Sequence, residues 1–478
     1  MKDAINIPLS RTTMQLITKS LIAGTVLSLG SGFGTGIGIA SVSAETHLMF
    51  NTSAQFNYNA YPWHQSFNLL WETLMSIRTR IGIWPTDTWT NYDDIELIFN
   101  NLKSAYGNVS PNGFDQDKWA LPFLQHGKEL YSQAKSYEGK NNTLASEMYL
   151  CLQILISLFR RTASVFRLGW FPWVHSNTSH SSLKKACWDL EKQTYERGLA
   201  LAHYSFETVN IPFKLKPHDS VYDTIPIYVN YALSKGKRNG GSNRTKAKTV
   251  ILVCGLDRYR SGQLTNVQLL LSLGMNVITV DMPGTGDAPI TGRDTGADTL
   301  LWRQLLDWIE ANAGAKGFDK DNLWAWGTST GSYWSIKLSR AEKNRLKGVL
   351  AQGAASHYTF TRDWLESADH LSYAVDLWAP LASTFGYVDD KHAFADVASN
   401  YSLLNQGVLD QDAAKLLSIN GVEDTTFPID DTLILSYYGK GAFLRMAPGF
   451  DHMGEPAATE WLQNFWAAVA DGSVANKY

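Results

Sequence analysis

Ser329 sits in Gly327-Thr328-Ser329-Thr330-Gly331, between the apolar run Asn322-Leu323-Trp324-Ala325-Trp326 and a stretch that reads as helix. Strand, tight turn, helix is the arrangement that lifts a hydroxyl above a sheet. The turn crowds its own backbone, and glycines two residues away on either side remove the side chains that would collide there. Thr330 then opens a helix, with its N–H free to face a developing oxyanion. A serine hydroxyl is a poor nucleophile at neutral pH and needs a base. Of the 11 histidines, His452 in Gly449-Phe450-Asp451-His452-Met453-Gly454 follows the last predicted strand, on a glycine-flanked loop that can reach back. The acid should end the preceding strand. Gly421-Val422-Glu423-Asp424 supplies Asp424 in preference to Glu423, because a Gly-x-x-Asp turn aims its fourth residue inward and Pro428 restarts the chain beyond it. Asp424 would hold the His452 tautomer and stabilise the imidazolium. Asp430 and Asp431 read as the start of the next helix, where carboxylates suit the dipole.

A second oxyanion donor is needed from the loop after the third strand. Cys254-Gly255-Leu256-Asp257 occupies that place, so Leu256 N–H is the candidate partner of Thr330 N–H. The loop continues Arg258-Tyr259-Arg260. Asp257 and Tyr259 are candidate substrate contacts, because loops carry function; the alternative is that these residues only anchor the loop. Asp281-Met282-Pro283-Gly284-Thr285-Gly286-Asp287 has the glycines of a phosphate loop but neither a Gly-Lys-Ser/Thr ending nor G-x-G-x-x-G spacing, and reads as a tight turn. The order Ser329, Asp424, His452 is that of the α/β-hydrolase fold.

The elements that must position these groups follow from periodicity. Helical spacing dominates from about Ala54 to Leu201, around Phe67–Trp71, Ile95–Leu102 and Leu144–Val165. Strands begin near Phe206 and Ile225. Thr249–Cys254 is a continuous apolar run, expected of a strand buried on both faces. Val277–Val280, Leu323–Trp326, Val349–Ala351, Leu416–Ile419 and Ala442–Met446 follow as strands, with helices at Leu300–Ile309, Gly331–Leu338 and Ala457–Val469 between and after them. Alternating β and α predicts an α/β chain with a mostly parallel sheet flanked by helices, whose ligands sit beyond the carboxyl ends of the strands. The expected organisation is a leader over 1–44, an N-terminal helical cap over 45–201, and a catalytic domain over 202–478 with a lid insertion at about 356–410.

Composition narrows the function. The 478 residues are 44% hydrophobic and 18% charged, which is globular. Forty-two basic against 45 acidic residues, net −3, carry no polyanion-binding signal, so no nucleic-acid partner is expected. Three cysteines, Cys151, Cys187 and Cys254, make neither a disulfide framework nor metal spacing. Lys2, Arg11 and Lys19 precede an uncharged stretch, Ser20–Ala44, ending Val42-Ser43-Ala44. This reads as a cleaved export signal and predicts a secreted or periplasmic protein, with a membrane anchor or a cytosolic tail as alternatives.

From about 250 to 465 the chain resembles the fungal polyketide-shortening hydrolases of pigment and mycotoxin biosynthesis and, more distantly, FrsA-like esterases and pseudooxynicotine C–C hydrolases. The matching segments are Gly255–Arg260, Pro283–Pro289, Ala351–Ala354, His370–Tyr373, Asn420-Gly421-x-x-Asp424 with Pro428–Asp431, and His452-Met453-Gly454. The fungal pattern has Ser-Ala-Gly-Gly around the nucleophile where this chain has Gly-Thr-Ser-Thr-Gly. The resemblance implies a helical domain packed over the catalytic domain. It also implies hydrolysis of an ester, or of a C–C bond beside two carbonyls, without a cofactor. The sequence thus points to a serine hydrolase, with a β-diketone C–C hydrolase as the mechanistic alternative and an inactive hydrolase-like binding protein as the third. The aromatics of the insertion, Tyr358, Phe360, Trp364, Tyr373, Trp378 and Phe385, are expected to line a pocket for an apolar or aromatic ester or ketone. A homodimer is left open.

Overall fold

The structure, a computed structural model, describes residues 61–138, 145–216, 223–232, 246–439 and 442–476. The expected leader over 1–44 lies outside them. Residues Leu48–Tyr478 form one compact unit.

A 3₁₀ turn at Pro62–His64 is followed by five α-helical elements among the described residues. α1 runs Phe67–Leu70, passes through a π-helical turn at Trp71–Met75, and continues as Ser76–Ile81. α2 (Tyr92–Tyr106), α3 (Gln116–Glu138), α4 (Ala145–Trp170) and α5 (Ser182–Leu201) follow. Ser66, Asn91 and Ser181 cap α1, α2 and α5 by accepting first-turn N–H groups.

The remainder builds one eight-stranded sheet in the order β1-β2-β4-β3-β5-β6-β7-β8. The strands are β1 (Phe206–Phe213), β2 (Asp223–Asn230), β3 (Ala247–Val253), β4 (Asn276–Val280), β5 (Phe318–Thr328), β6 (Gly348–Gln352), β7 (Lys415–Gly421) and β8 (Ala442–Ala447). β2 pairs antiparallel with β1 and β4, and all other pairs are parallel. Every expected strand is present. Helices α6 (Leu264–Ser272), α7 (Thr295–Ala311), α8 (Gly331–Ala341) and α12 (Ala457–Asp471) cover the sheet. Three short helices, α9 (Arg362–Ala368), α10 (Trp378–Thr384) and α11 (Lys391–Val397), lie in the excursion between β6 and β7.

The apolar runs make sense in this setting, because a central parallel strand is buried on both faces. Ile251 and Val253 of β3 join the cluster holding Leu301 and Leu305 of α7 and Ile336 of α8. Val250 and Leu252 point the other way, toward Val267 and Leu270 of α6 and Leu462 and Trp466 of α12.

A buried ion cluster fastens the helical region to this sheet. Arg260, beyond β3, pairs with Asp281 and Asp287 at the two ends of the turn after β4. Asp287 also receives Lys192 Nζ (2.9 Å) and Trp188 Nε1 (2.9 Å) from α5. The turn itself is held by Gly286 N–H to Val174 O (3.0 Å) and Ser176 N–H to Gly286 O (2.8 Å). The glycine-rich segment is thus a tight turn, as expected, and also a socket for the helical region. Removing one partner of a buried pair leaves an uncompensated charge, which costs about 3–5 kcal/mol. Arg260→Met is accordingly expected to lower the unfolding free energy by about that amount, read as a shift in the urea midpoint. An unchanged midpoint would show that the cluster holds nothing together.

Candidate active site

Ser329 follows β5 directly and takes a positive φ of 52°, the left-handed region that an L side chain adopts at a cost of about 1–3 kcal/mol. The surroundings hold it there. Its N–H donates to Gln352 O at the end of β6 (2.8 Å). A Cβ on Gly331 would stand 2.5 Å from the carbonyl oxygens of Val253 and Cys254, and one on Gly327 would strike Gly331 O and the Ser335 side chain. The collision expected within the turn is real at Gly327. At Gly331 it is with the end of β3, so this glycine sets how closely the turn approaches the neighbouring loop.

The three residues singled out by type and order come together. His452 Nε2 lies 2.8 Å from Ser329 Oγ, and His452 Nδ1 lies 2.8 Å from Asp424 Oδ2. Each stands beyond the carboxyl end of its strand: Ser329 after β5, Asp424 after β7 and His452 after β8. Asp424 is fully buried. Its Oδ1 accepts the N–H groups of Thr426 (2.8 Å) and Phe427 (3.0 Å), and its Oδ2 accepts Asn420 Nδ2 (2.8 Å). Asn420 Oδ1 in turn takes Met453 N–H (3.0 Å) and so ties the acid loop to the histidine loop. Asp451 adds a second tie, its Oδ1 accepting the N–H groups of Thr425 (2.9 Å) and His452 (2.7 Å). The His452 ring meets Phe427 edge-on at 5.2 Å. A Cβ on Gly353 would come within 2.7 Å of His452 Cε1, so a glycine follows β6 to admit the imidazole.

Burial alone would lower the His452 pKa. The Asp424 carboxylate, by charge and by hydrogen bond, outweighs it, and the net shift is upward.

The candidate donors Leu256 and Thr330 are chain neighbours of Gly255 and Ser329, which lie against each other. Gly255 lies so close that a Cβ on it would sit 3.1 Å from Ser329 Cβ and 3.7 Å from Ser329 Oγ. Both Leu256 and Thr330 are buried. Tyr259 corrects its expected role as a substrate contact. It is fully buried, stacks on Trp170 at 4.1 Å, and its hydroxyl is engaged by Val174 O (2.7 Å) and Val174 N–H (2.7 Å). It anchors the loop. Asp257 is also buried, and its Oδ2 accepts Trp84 Nε1 and Tyr373 OH (3.1 Å). For two of the insertion aromatics, Phe360 and Phe385, the expectation of a pocket lining is corrected as well. Phe360 and Phe385 pack with Tyr333 of α8 and Tyr401 as the excursion's own core, and Tyr373 is the one whose polar atom reaches the loop after β3. Asp431 begins a helical turn as expected. Its carboxylate, however, accepts the N–H groups of His357 (2.7 Å), Tyr358 (2.6 Å) and Thr359 (3.0 Å) at the start of the excursion.

Sequence reasoning passed over Asn420, Asp451 and Trp84. Asn420 lay inside a quoted motif and Asp451 next to the histidine, but Trp84, 173 residues from its partner Asp257, carried no local signal. Among the described residues no group of three or more His, Cys, Asp or Glu could hold a metal ion, and no helix is long and apolar enough to cross a membrane.

No family model and no curated protein matches the chain. Solved structures do. The 2,6-dihydroxy-pseudo-oxynicotine hydrolase superposes with a TM-score of 0.56 at 16% identity, covering 81% of this chain and 94% of its own. AbyA5 superposes with a TM-score of 0.52 at 16% identity, covering 75% and 89%. At such identity the likeness is one of fold, and with the strand order it establishes the α/β-hydrolase fold with an N-terminal helical region.

The site predicts its own titration. By NMR, the His452 imidazole should titrate above the ordinary value of about 6.5. Asp424→Asn should lower it, because the strongest influence opposing burial is removed and only the weaker charges of Asp451 and Asp257 remain. An unshifted imidazole in the variant would mean that the carboxylate does not act on the ring.

Proposed function

We propose that this protein is a serine hydrolase that cleaves a carboxylic ester through an acyl-enzyme. The observation that carries the reading is the unbroken hydrogen-bonded chain from Ser329 Oγ through His452 to Asp424. His452 Nε2 takes the hydroxyl proton as Ser329 Oγ bonds to the carbonyl carbon. The oxyanion that forms is met by the N–H groups of Leu256 and Thr330, which point at charge that exists only in the transition state. The imidazolium returns its proton to the leaving alkoxide. A water then gives a proton to His452 and its oxygen to the acyl carbon, and Ser329 leaves with the proton restored.

In this reading the helical region 45–201 acts as a cap and the 356–410 excursion as a lid, over a site for an apolar or aromatic substrate. The leader would direct the protein out of the cytoplasm. The second reading is a β-diketone C–C hydrolase using the same three residues, with the departing carbanion leaving as an enolate that His452 protonates. It is favoured by the segments shared with C–C hydrolases and by the fold likeness to the 2,6-dihydroxy-pseudo-oxynicotine hydrolase.

Ser329→Ala should lose kcat by on the order of a million-fold and should resist a fluorophosphonate that labels the wild type. Full labelling of the variant would refute the assignment, and failure to label the wild type would favour the inactive binding protein. A neutral imidazole is the working form, so kcat/KM should fall as pH drops through the raised His452 pKa. Turnover of aryl esters against a β-diketone panel separates the two chemistries.

A further inference from the structure

Three successive carbonyls between α1 and α2 each accept a guanidinium. Arg78 Nη1 donates to Trp84 O (3.2 Å), Arg167 Nη1 to Pro85 O, and Arg258 Nη2 to Thr86 O (3.1 Å). A guanidinium presents its donors in a rigid planar fork and makes charge-assisted bonds about twice as strong as neutral ones. Arg78 also lies over the Trp84 ring at 5.2 Å. The segment is thereby fixed from α1, from α4 and from the loop after β3 at once.

What it holds is Asp257, the residue after Leu256. Trp84 Nε1 donates to Asp257 Oδ2, and Tyr373 OH donates to the same oxygen (3.1 Å). The other fork nitrogen of Arg167, Nη2, donates to Asp257 O (3.1 Å). The Trp84 ring packs against Tyr373 at 5.1 Å and Phe171 at 6.2 Å. Trp84 and Arg167 belong to the helical region and Tyr373 to the excursion. None of these three groups comes from the sheet or the helices that flank it.

We infer that Trp84–Thr86 is a positioning strap through which the helical region and the excursion set the oxyanion loop, with Trp84, Arg167 and Tyr373 as positioning residues acting through Asp257. The inference rests on the proposed serine-hydrolase reading. An oxyanion donor works only within about 2.7–3.1 Å of the charge it meets, and a misplacement of about 1 Å costs on the order of a hundredfold in rate. A loop whose second donor is held from outside its own domain makes the helical region part of the rate, beyond any part in enclosing substrate.

The test uses the full chain and an aryl ester, with active sites counted by fluorophosphonate titration so that rates are given per competent site. Trp84→Phe keeps the ring and removes the N–H. It should lower kcat per site about tenfold or more, with KM changed less than about threefold because the ground-state carbonyl gains little from the donor. Tyr373→Phe removes the second donor from a separate element and should lower kcat in the same direction. It also carries the test should Trp84→Phe not fold. Asp257→Asn keeps an acceptor for both donors and should restore most of the rate that Asp257→Leu loses. Unchanged kcat per site in Trp84→Phe and Tyr373→Phe, whatever their melting temperatures, would overturn the inference and reduce the strap to a structural tie. A wild type that takes no fluorophosphonate would instead overturn the hydrolase reading beneath it.

Discussion

The close approach of one turn to the end of its neighbouring strand governs this site. Gly331 lies against the carbonyls of Val253 and Cys254, Gly255 lies against the Ser329 side chain, and Ser329 N–H is bound to Gln352 O on the far side. β5 is the central strand between β3 and β6, so its final turn is pinched between theirs. The positive φ of Ser329 is a cost that these neighbours sustain. The pinch also brings the hydroxyl beside the loop that begins with Gly255. A side chain at either glycine would separate nucleophile and loop before any chemistry was lost by substituting a reacting group.

The second constraint is that the loops above the sheet are held by polar contacts from distant chain. Arg260 ties the loop after β3 to the turn after β4, and Lys192 and Trp188 of α5 join at Asp287. Asp431 binds the entrance of the excursion to the turn after Asp424. These are directional interactions, and buried polar groups left without partners are expensive. They therefore specify one arrangement of the loops where apolar packing alone would accept several. The helical region and the excursion are consequently parts of the same folded body as the sheet.

The legible parts of the sequence were those with local signatures. Thr249–Cys254 showed a two-faced central strand because the five residues after Thr249 are all apolar, and the glycine spacing around Ser329 showed the turn because sterics act within five residues. His452 was legible through its place after the last strand. The missed features were set by long-range pairing. Nothing near Tyr259 in the chain tells that its hydroxyl meets Val174, or that its ring lies on Trp170. The aromatics of 356–410 suggested a pocket by composition. A helix as buried as α8 needs a cover, and Phe360 and Phe385 supply part of it by packing on Tyr333 and Trp334. Asp431 was placed correctly on its helical turn and read for its dipole alone, because the N–H groups it serves lie more than seventy residues earlier.

Acid and base are coupled in a way that bears on how the site withstands motion. Asn420 accepts Met453 N–H with its oxygen and gives its amide to Asp424, so one side chain joins both loops. Asp451 repeats the connection through the N–H groups of Thr425 and His452. Two side chains thus hold the acid loop and the histidine loop to each other around the Asp424–His452 contact. Gln352 carries the corresponding tie to the nucleophile: its carbonyl accepts Ser329 N–H, and its Nε2 donates to Met453 O (3.2 Å) and Glu455 Oε1 (3.2 Å) on the histidine loop. Ser329 is fixed by β5, β6 and the end of β3, whereas His452 is fixed by β7 and β8. The proton must pass between Nε2 and Oγ, and Gly353, bound by its N–H to Ile419 O of β7 (2.9 Å), is the close packing point that holds the ring there.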